Sequence, residues 1–136
     1  MILVIRISGL VEVDTKVNET LARMCLSRKY SATLLKETDE TMKLLQHVRN
    51  FVAYGPLEQT TLVELLTKRG QVVKGKKGDI TKIASEVEKK SLSELGCKPF
   101  FRLHPPRGGI DSKLHYPKGV LGDNKQDINK LVRRML

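Results

Sequence analysis

The sequence predicts a fold of mixed helices and strands, with a βαβαβ core in residues 1–57 and a helical extension in residues 58–136. Two observations predict the core. Short runs rich in β-branched and aromatic residues alternate with stretches whose apolar residues have helical spacing. The core then ends at Gly55 and Pro56, residue types that interrupt regular structure.

The first strand and the first helix have the clearest patterns in the core. Residues 2–7 are apolar on both alternations apart from Arg6, so we expect a strand that is covered on both faces. Asp14 and Thr15 are good N-cap residues for the helix that follows. Its apolar residues recur at i, i+4, i+7 and i+8, which predicts an amphipathic helix with an apolar face of Val17, Leu21, Met24 and Cys25.

The rest of the core has the same two kinds of pattern. Residues 30–35 and 51–54 predict the second and third strands. Between them, Thr38 or Asp39 can cap a second helix, whose inward-facing residues are expected to be Met42, Leu45 and Val48.

The extension begins with three predicted helices. The first carries Leu62 and Leu65 on its apolar face and ends at Gly70, a common residue type just past a helix. Asp79 can cap the next one. Ser91 and Glu94 form a capping box, which predicts a short third helix of the extension.

The pattern changes after residue 98. Residues 100–103 are strand-like, but residues 104–123 show neither helical nor strand periodicity. At ~3.3 Å per residue this arm could extend ~60 Å, far enough to leave the body of the protein. The chain ends in an amphipathic helix with an apolar face of Ile128, Leu131, Val132 and Met135.

The charge indicates a polyanionic partner. The chain of 136 residues has 25 Lys and Arg against 15 Asp and Glu, a formal net charge of +10. Residues 1–57 carry +2 of this excess and residues 58–136 carry +8. Such a surplus is typical of proteins that bind nucleic acid.

Other classes of protein are disfavoured by the sequence. The 2 cysteines do not make the disulfide framework of a secreted protein. The opening apolar run stops at Arg6, well short of a signal peptide or of the ~20 residues of a membrane span. His47, His104 and His115 have no spacing to Cys25 or Cys97 that would suit a metal. We therefore expect a cytoplasmic protein without membrane, metal or other cofactor.

The sharpest enzyme-like motif is a near match to a phosphate-binding P-loop. Gly70 is followed after four residues by Gly75, Lys76 and Lys77. The last position lacks the hydroxyl that would bind the metal, and the loop follows a helix instead of a strand. The lysines of this loop, with Lys74, suit a long polyanion better than one nucleotide.

The irregular arm has the composition of a segment that enters RNA. Its prolines keep the backbone extended, Gly108 and Gly109 allow close approach to phosphate, and Arg107 offers a planar fork for bidentate contact. The alternative is a solvated loop. Arg28, Lys29 and the cations of the terminal helix could likewise be ordinary surface charges or RNA contacts.

Three segments make the sequence similar to a known family. Residues 4–9 read VIRISG, residues 101–109 read FRLHPPRGG, and residues 119–122 (GVLG) precede INKLVRRM at 128–135. Together they resemble, over the whole chain, the archaeal type of the large-subunit ribosomal protein numbered thirty in the universal scheme. The chain departs from that family at Asn124, where an arginine is common; Lys125 could supply the charge but not the fork geometry.

The resemblance implies an α+β fold whose βαβαβ core has a three-stranded, largely antiparallel sheet related to the ferredoxin-like arrangement. It also implies a non-enzymatic structural role in the large ribosomal subunit, where the protein would bind ribosomal RNA near the 5S region and neighbouring ribosomal proteins. The alternatives are a free RNA- or DNA-binding regulator and a small phosphate-handling enzyme. The candidate RNA-binding residues are Arg6, Arg28, Lys29, Lys74, Lys76, Lys77, Arg102, His104, Arg107, Gly108, Gly109, Lys113, His115, Lys118, Lys125, Lys130, Arg133 and Arg134.

Overall fold

The computed structural model describes residues 1–73 and 79–136 and has an α+β fold built on a five-stranded mixed sheet. The strand order is β4-β2-β1-β3-β5. The strands are β1 (Ile2–Arg6), β2 (Ser31–Leu35), β3 (Val52–Pro56), β4 (Phe101–Arg102) and β5 (Gly122–Asp123). The expected order of the core elements is confirmed, but the expectation of a three-stranded sheet is wrong.

The two additional strands come from the extension and are only two residues long. β4 pairs antiparallel with β2, and β5 pairs parallel with β3. The three core strands are antiparallel, with β1 between β2 and β3. The extension therefore widens the same sheet at both edges.

The central strand is covered on both faces, as its sequence predicts. Every residue of β1 is buried. Leu3 and Ile5 belong to one hydrophobic cluster, whereas Ile2 and Val4 belong to a second one. Because side chains alternate along a strand, these two clusters lie on opposite faces of the sheet.

In the part of the chain that the structure describes, five helices form the two covering layers. They are α1 (Thr15–Arg23), α2 (Asp39–Val48), α3 (Gln59–Arg69), α4 (Ile80–Glu86) and α5 (Asp127–Met135). α1 and α2 share the cluster of Ile2 and Val4, and the helices of the extension share the cluster of Leu3 and Ile5. The predicted cap of α2 is confirmed, since the Thr38 hydroxyl accepts a hydrogen bond from the Thr41 amide.

Two local predictions about helices are wrong. Cys25 lies beyond the end of α1, is partly exposed and has a positive φ of 61°, so it is not on the helical apolar face. The short helix expected after Ser91 is a series of turns at 92–96. The Ser91 amide does donate to the Glu94 carboxylate at 3.1 Å, but the chain turns away at Gly96, which has a positive φ of 83°.

The arm does not extend away from the body. The His104 amide donates to the Met135 carbonyl and the Arg107 amide to the Arg134 carbonyl, each at 3.0 Å. These bonds fix the start of the arm along the end of α5, and β5 fixes its other end to β3. The hydrophobic cluster that contains Leu3 and Ile5 of β1 also contains residues of the extension, so the two parts of the chain share a core.

Candidate nucleic-acid interface

Arg6 is the one described candidate that the structure removes from the interface. Its side chain is 0% exposed, although it carries a charge on the central strand. Its guanidinium donates to the carbonyl oxygens of Leu26 at 2.8 Å, Ser8 at 3.1 Å and Gly9 at 2.9 Å, and to the Asn18 side chain at 3.0 Å. Burial lowers the pKa of Arg6 from its ordinary value. Its role is to join the loop after β1, the helix α1 and the turn after α1, not to contact RNA.

The turn between α1 and β2 is held in place by this network. The Tyr30 amide donates to the Arg6 carbonyl at 2.7 Å, and the Leu103 amide donates to the Tyr30 carbonyl at 3.0 Å. Ser31 of β2 lies opposite Arg102 of β4 in the sheet. This pairing brings the basic turn at Arg28 beside the short strand that precedes the arm.

The turn and β4 enclose an open groove of about 270 Å³, which we call the β4 groove. The guanidinium of Arg102 lies over the ring of Phe100, 5.8 Å from its centroid. Beside the groove, the Lys29 ammonium lies 4.9 Å from the centroid of the Tyr30 ring. The groove is lined by Ala22, Cys25, Ser27, Arg28, Ser31, Phe100 and Arg102. No acidic residue is among them.

The start of the arm is pinned by Arg134. Its Nε donates to the Arg107 carbonyl at 2.9 Å, and one terminal nitrogen donates to the Gly109 carbonyl. Gly108 and Gly109 have positive φ values of 81° and 74°, the left-handed conformation that glycine tolerates best. The side chains of Arg107 and His104 point outward and are exposed. Within the described ranges, the Arg107 guanidinium forms no ion pair.

The cations of α5 are partly neutralised. Lys130 pairs with Asp127 at 2.9 Å, and Arg133 lies 3.7 Å from the carboxylate of Glu64. The Tyr116 hydroxyl also donates to Asp127, at 2.7 Å. Hydrogen bonds from Lys130 and Tyr116 lower the pKa of Asp127, and the same contacts raise the pKa values of Lys130 and Tyr116.

These side chains border a second cavity, of about 370 Å³, between the arm and α5. Lys118, Lys130 and Arg134 line it, but so do Asp111 and Asp127. Mixed charge makes this cavity a weaker anion site than the β4 groove.

The remaining described candidates lie around the second half of the arm. Lys113, His115, Lys118 and Lys125 are all exposed. The His115 Nε2 lies 2.8 Å from the side-chain oxygen of Asn50, so this ring is positioned by a residue of the turn between α2 and β3. Asn124 is buried, and its amide donates to the Val120 and Gly122 carbonyls at 2.6 and 3.1 Å. Its side chain therefore holds the end of the arm in place and is not available for an RNA contact.

Three candidates cannot be placed. Lys74, Lys76 and Lys77 lie outside the described residues, and so does the second half of the P-loop-like motif. Its first residue, Gly70, is the C-cap of α3 with a φ of −61°, so left-handed backbone is not the reason for glycine there. A side chain at this position would instead collide with the Leu66 carbonyl oxygen.

Sequence reasoning missed the aromatic side chains of the interface. Phe100 and Tyr30 were expected only as strand residues, yet each ring lies near a cation: Arg102 in the β4 groove for Phe100, and Lys29 for Tyr30. The available signal was a cation close in sequence to each aromatic residue. Lys29 directly precedes Tyr30, and Arg102 is two residues after Phe100, a spacing that places both side chains on one face of a strand.

No group of three or more His, Cys, Asp or Glu that could hold a metal ion occurs within 1–73 and 79–136. In the same ranges, none of the helices is both long and apolar enough to cross a membrane.

Comparisons with known proteins confirm the resemblance. A family model described as "Ribosomal protein L30p/L7e" matches residues 2–52. A relative from Archaeoglobus fulgidus, named large ribosomal subunit protein uL30, is 39% identical, and the alignment covers 99% of each chain. Relatives of the same name from Korarchaeum cryptofilum and Aeropyrum pernix are 32% and 34% identical. Those alignments cover 100% and 98% of this chain and 95% and 97% of the relatives. The chain therefore belongs to the uL30 family of large ribosomal subunit proteins.

Proposed function

We propose that this protein is a structural constituent of the large ribosomal subunit and that it binds ribosomal RNA. The observation that carries the proposal is the similarity to uL30 proteins along the whole chain, with 99% coverage of both sequences in one case. The similarity includes both the core and the extension, so both parts of the chain support the proposal.

The distribution of charge supports RNA as the ligand. Within the described residues, Arg28, Lys29, Arg102 and Arg107 are exposed and form no ion pair with a carboxylate. Phosphate groups would supply the missing negative charge and release counterions from the RNA. The chain has no Trp and only 3 Tyr and 3 Phe, so most of the contacts are to phosphates and to RNA shape.

The proposal extends to the surroundings of the protein. In an assembled particle in the cytoplasm, the partners are ribosomal RNA, with the 5S region as the proposed neighbourhood, and adjacent ribosomal proteins. It includes no catalytic step, cofactor or small-molecule substrate. Crosslinking of the bound protein to RNA, followed by sequencing of the crosslinked fragments, tests the 5S neighbourhood directly.

Co-sedimentation tests the main proposal. The tagged full-length chain is expressed in the cell it comes from, ribosomes are washed in high salt, and the subunits are separated. We expect the protein in the large-subunit fraction at about one copy per particle. Loss of the protein from the subunits in the wash, with recovery on free RNA or DNA, would favour a free regulator instead.

A binding measurement addresses the enzyme alternative. Because the loop at Lys76 lacks the hydroxyl of a P-loop, we expect no appreciable binding of ATP or GTP in calorimetry. Magnesium-dependent binding in the millimolar range or tighter that is lost in Lys76→Ala would support a phosphate-handling enzyme.

A further inference from the structure

The β4 groove differs from the basic surface of α5, because no carboxylate is among the residues that line it. Arg28 and Arg102 come from different halves of the chain and meet in one groove whose lining has no carboxylate. Neither arginine forms an ion pair with any described residue. On α5, by contrast, Lys130 and Arg133 each have an acidic partner. An anion bound between the two arginines would therefore relieve a repulsion that the protein itself leaves uncompensated.

The groove also contains two planar groups in contact, the guanidinium of Arg102 and the ring of Phe100. The guanidinium of Arg102 is 5.8 Å from the centroid of the half-buried Phe100 ring, within the ~6 Å of a cation–π contact. Guanidinium planes and aromatic rings are the surfaces on which proteins stack unpaired RNA bases. Together they make a platform for a base beside a site for its phosphate.

The dimensions limit what can occupy the site. A volume of about 270 Å³ is just below the ~300–1,000 Å³ of pockets that enclose drug-sized ligands, so the groove has room for one nucleotide and not for several. Its walls are fixed by backbone hydrogen bonds, from the Ser31 amide to the Arg28 carbonyl at 3.2 Å and from Leu103 to Tyr30 at 3.0 Å. The site is therefore formed before RNA binds.

We propose that the β4 groove binds one unpaired nucleotide of the ribosomal RNA, with its base stacked on the layer of Arg102 and Phe100 and its phosphate against Arg28. This rests on the proposed function, because it takes ribosomal RNA as the ligand, and it names the RNA element that the groove recognises. Only loops, bulges and strand ends offer a base outside the helical stack. Stacking tolerates any base, so the groove selects an unpaired position and not a sequence.

Chemical probing of RNA bases tests the inference. The full-length protein is bound to protein-free large-subunit ribosomal RNA, and base reactivity is compared with and without protein. Phe100→Leu removes the aromatic face, Arg102→Lys keeps the charge but loses the plane, and Phe100→Tyr keeps the face. Arg49→Ala serves as the matched control, since Arg49 is an exposed arginine at the end of α2 that does not line the groove and is not among the candidate RNA contacts.

We expect the wild type to protect at least one unpaired nucleotide. Phe100→Leu and Arg102→Lys should restore its reactivity and weaken binding about 5- to 100-fold, the range seen when stacking contacts are removed. Phe100→Tyr and Arg49→Ala should keep the protection. Thermal melts accompany each variant, and if Phe100→Leu is unfolded, the exposed Arg102→Lys decides.

The two proposals fail differently. If the wild type does not bind large-subunit RNA at all, the proposed function is overturned, and this inference with it. If the wild type binds and protects, but folded Arg102→Lys protects the same nucleotides with the same affinity, only the assignment of the β4 groove is overturned.

Discussion

Arg107 and Arg134 bind each other in both directions. The Arg107 amide donates to the Arg134 carbonyl at 3.0 Å, and the Nε of Arg134 donates to the Arg107 carbonyl at 2.9 Å. The Arg107 side chain takes no part in this pair and is exposed. Two arginines in contact thus have separate tasks: Arg134 fixes the arm on α5, and Arg107 presents a charge from it.

The first prediction separates these tasks. Arg107→Ala should change the free energy of unfolding by no more than ~0.5 kcal/mol, as other surface substitutions do. It should weaken binding to large-subunit RNA uniformly and lower the log-log salt slope of that binding by about 0.7 to 0.9, because one phosphate contact is lost. Binding is measured over a series of potassium concentrations, beside a thermal melt of each protein.

Arg134→Ala is the comparison for this prediction. It removes the side-chain donors to Arg107 and Gly109, so amide hydrogen exchange in residues 104–110 should become faster. Arg107→Ala should leave that exchange unchanged. An unaltered salt slope in Arg107→Ala, together with a lower melting temperature, would make Arg107 a structural residue and contradict its assignment as an RNA contact.

A second prediction concerns the buried Arg6. Arg6→Lys keeps the positive charge, but one ammonium cannot replace a planar guanidinium that donates to Leu26, Ser8, Gly9 and Asn18. Each buried acceptor left without a donor costs about 1–3 kcal/mol. We expect unfolding in urea to show a loss of at least ~2 kcal/mol. Arg28→Lys, on the exposed turn, is the matched control and should be nearly neutral. Equal stability of the two variants would show that the Arg6 network contributes little.

Arg6 also shows how far the sequence predicts the site. Most of the described Lys and Arg residues that the sequence suggested as RNA contacts are exposed, because exposure is the ordinary state of a charged side chain. Whether a cation is buried or paired depends on tertiary contacts, such as those of Arg6 with Leu26 and of Lys130 with Asp127. The position of Arg6 between the buried Ile5 and Ile7 was the one local sign of its burial.

The fold was predictable to a similar degree. β1 and α5 have dense apolar patterns of their own, so both were located from the sequence. β4 and β5 consist of two residues each, too few for periodicity, and exist because Ser31 and Ala53 offer strand edges beside them. The arm was expected to extend because its prolines and glycines give no inward-facing pattern. The hydrogen bonds that hold it are made mostly by backbone atoms, and these are the same in nearly every residue type, so the sequence does not indicate them.

A third prediction tests the close approach of β3 to the start of α5. Gly55 is buried, and a Cβ there would collide with the Lys125 carbonyl oxygen and lie 3.0 Å from the Ile128 side chain. Gly55→Ala should therefore lower the free energy of unfolding by about 1–3 kcal/mol, as overpacking does. Gly9→Ala is the control, because nothing lies within 4 Å of a Cβ at Gly9. A neutral Gly55→Ala would mean that α5 can move away from the sheet at little cost.

The last prediction concerns the two parts of the chain that the sequence suggests, a core domain in residues 1–57 and its extension in residues 58–136. In the structure, Leu3 and Ile5 of β1 are covered by Leu65 of α3 and by Ile128 of α5, within one hydrophobic cluster. Cutting the chain after residue 57 would expose this face of the sheet to water. A unit of this size buries only ~60% of its unfolded surface even when its core is intact.

We therefore expect the fragment of residues 1–57 to be marginally stable at best. Circular dichroism should show a broad melt at a much lower temperature than that of the full chain, and the fragment should bind a hydrophobic dye that the full chain does not. The full-length protein purified in the same way is the control. A fragment that melts cooperatively at the temperature of the full chain would mean that α3 and α5 add nothing to the stability of the sheet, and that residues 1–57 are an independent domain.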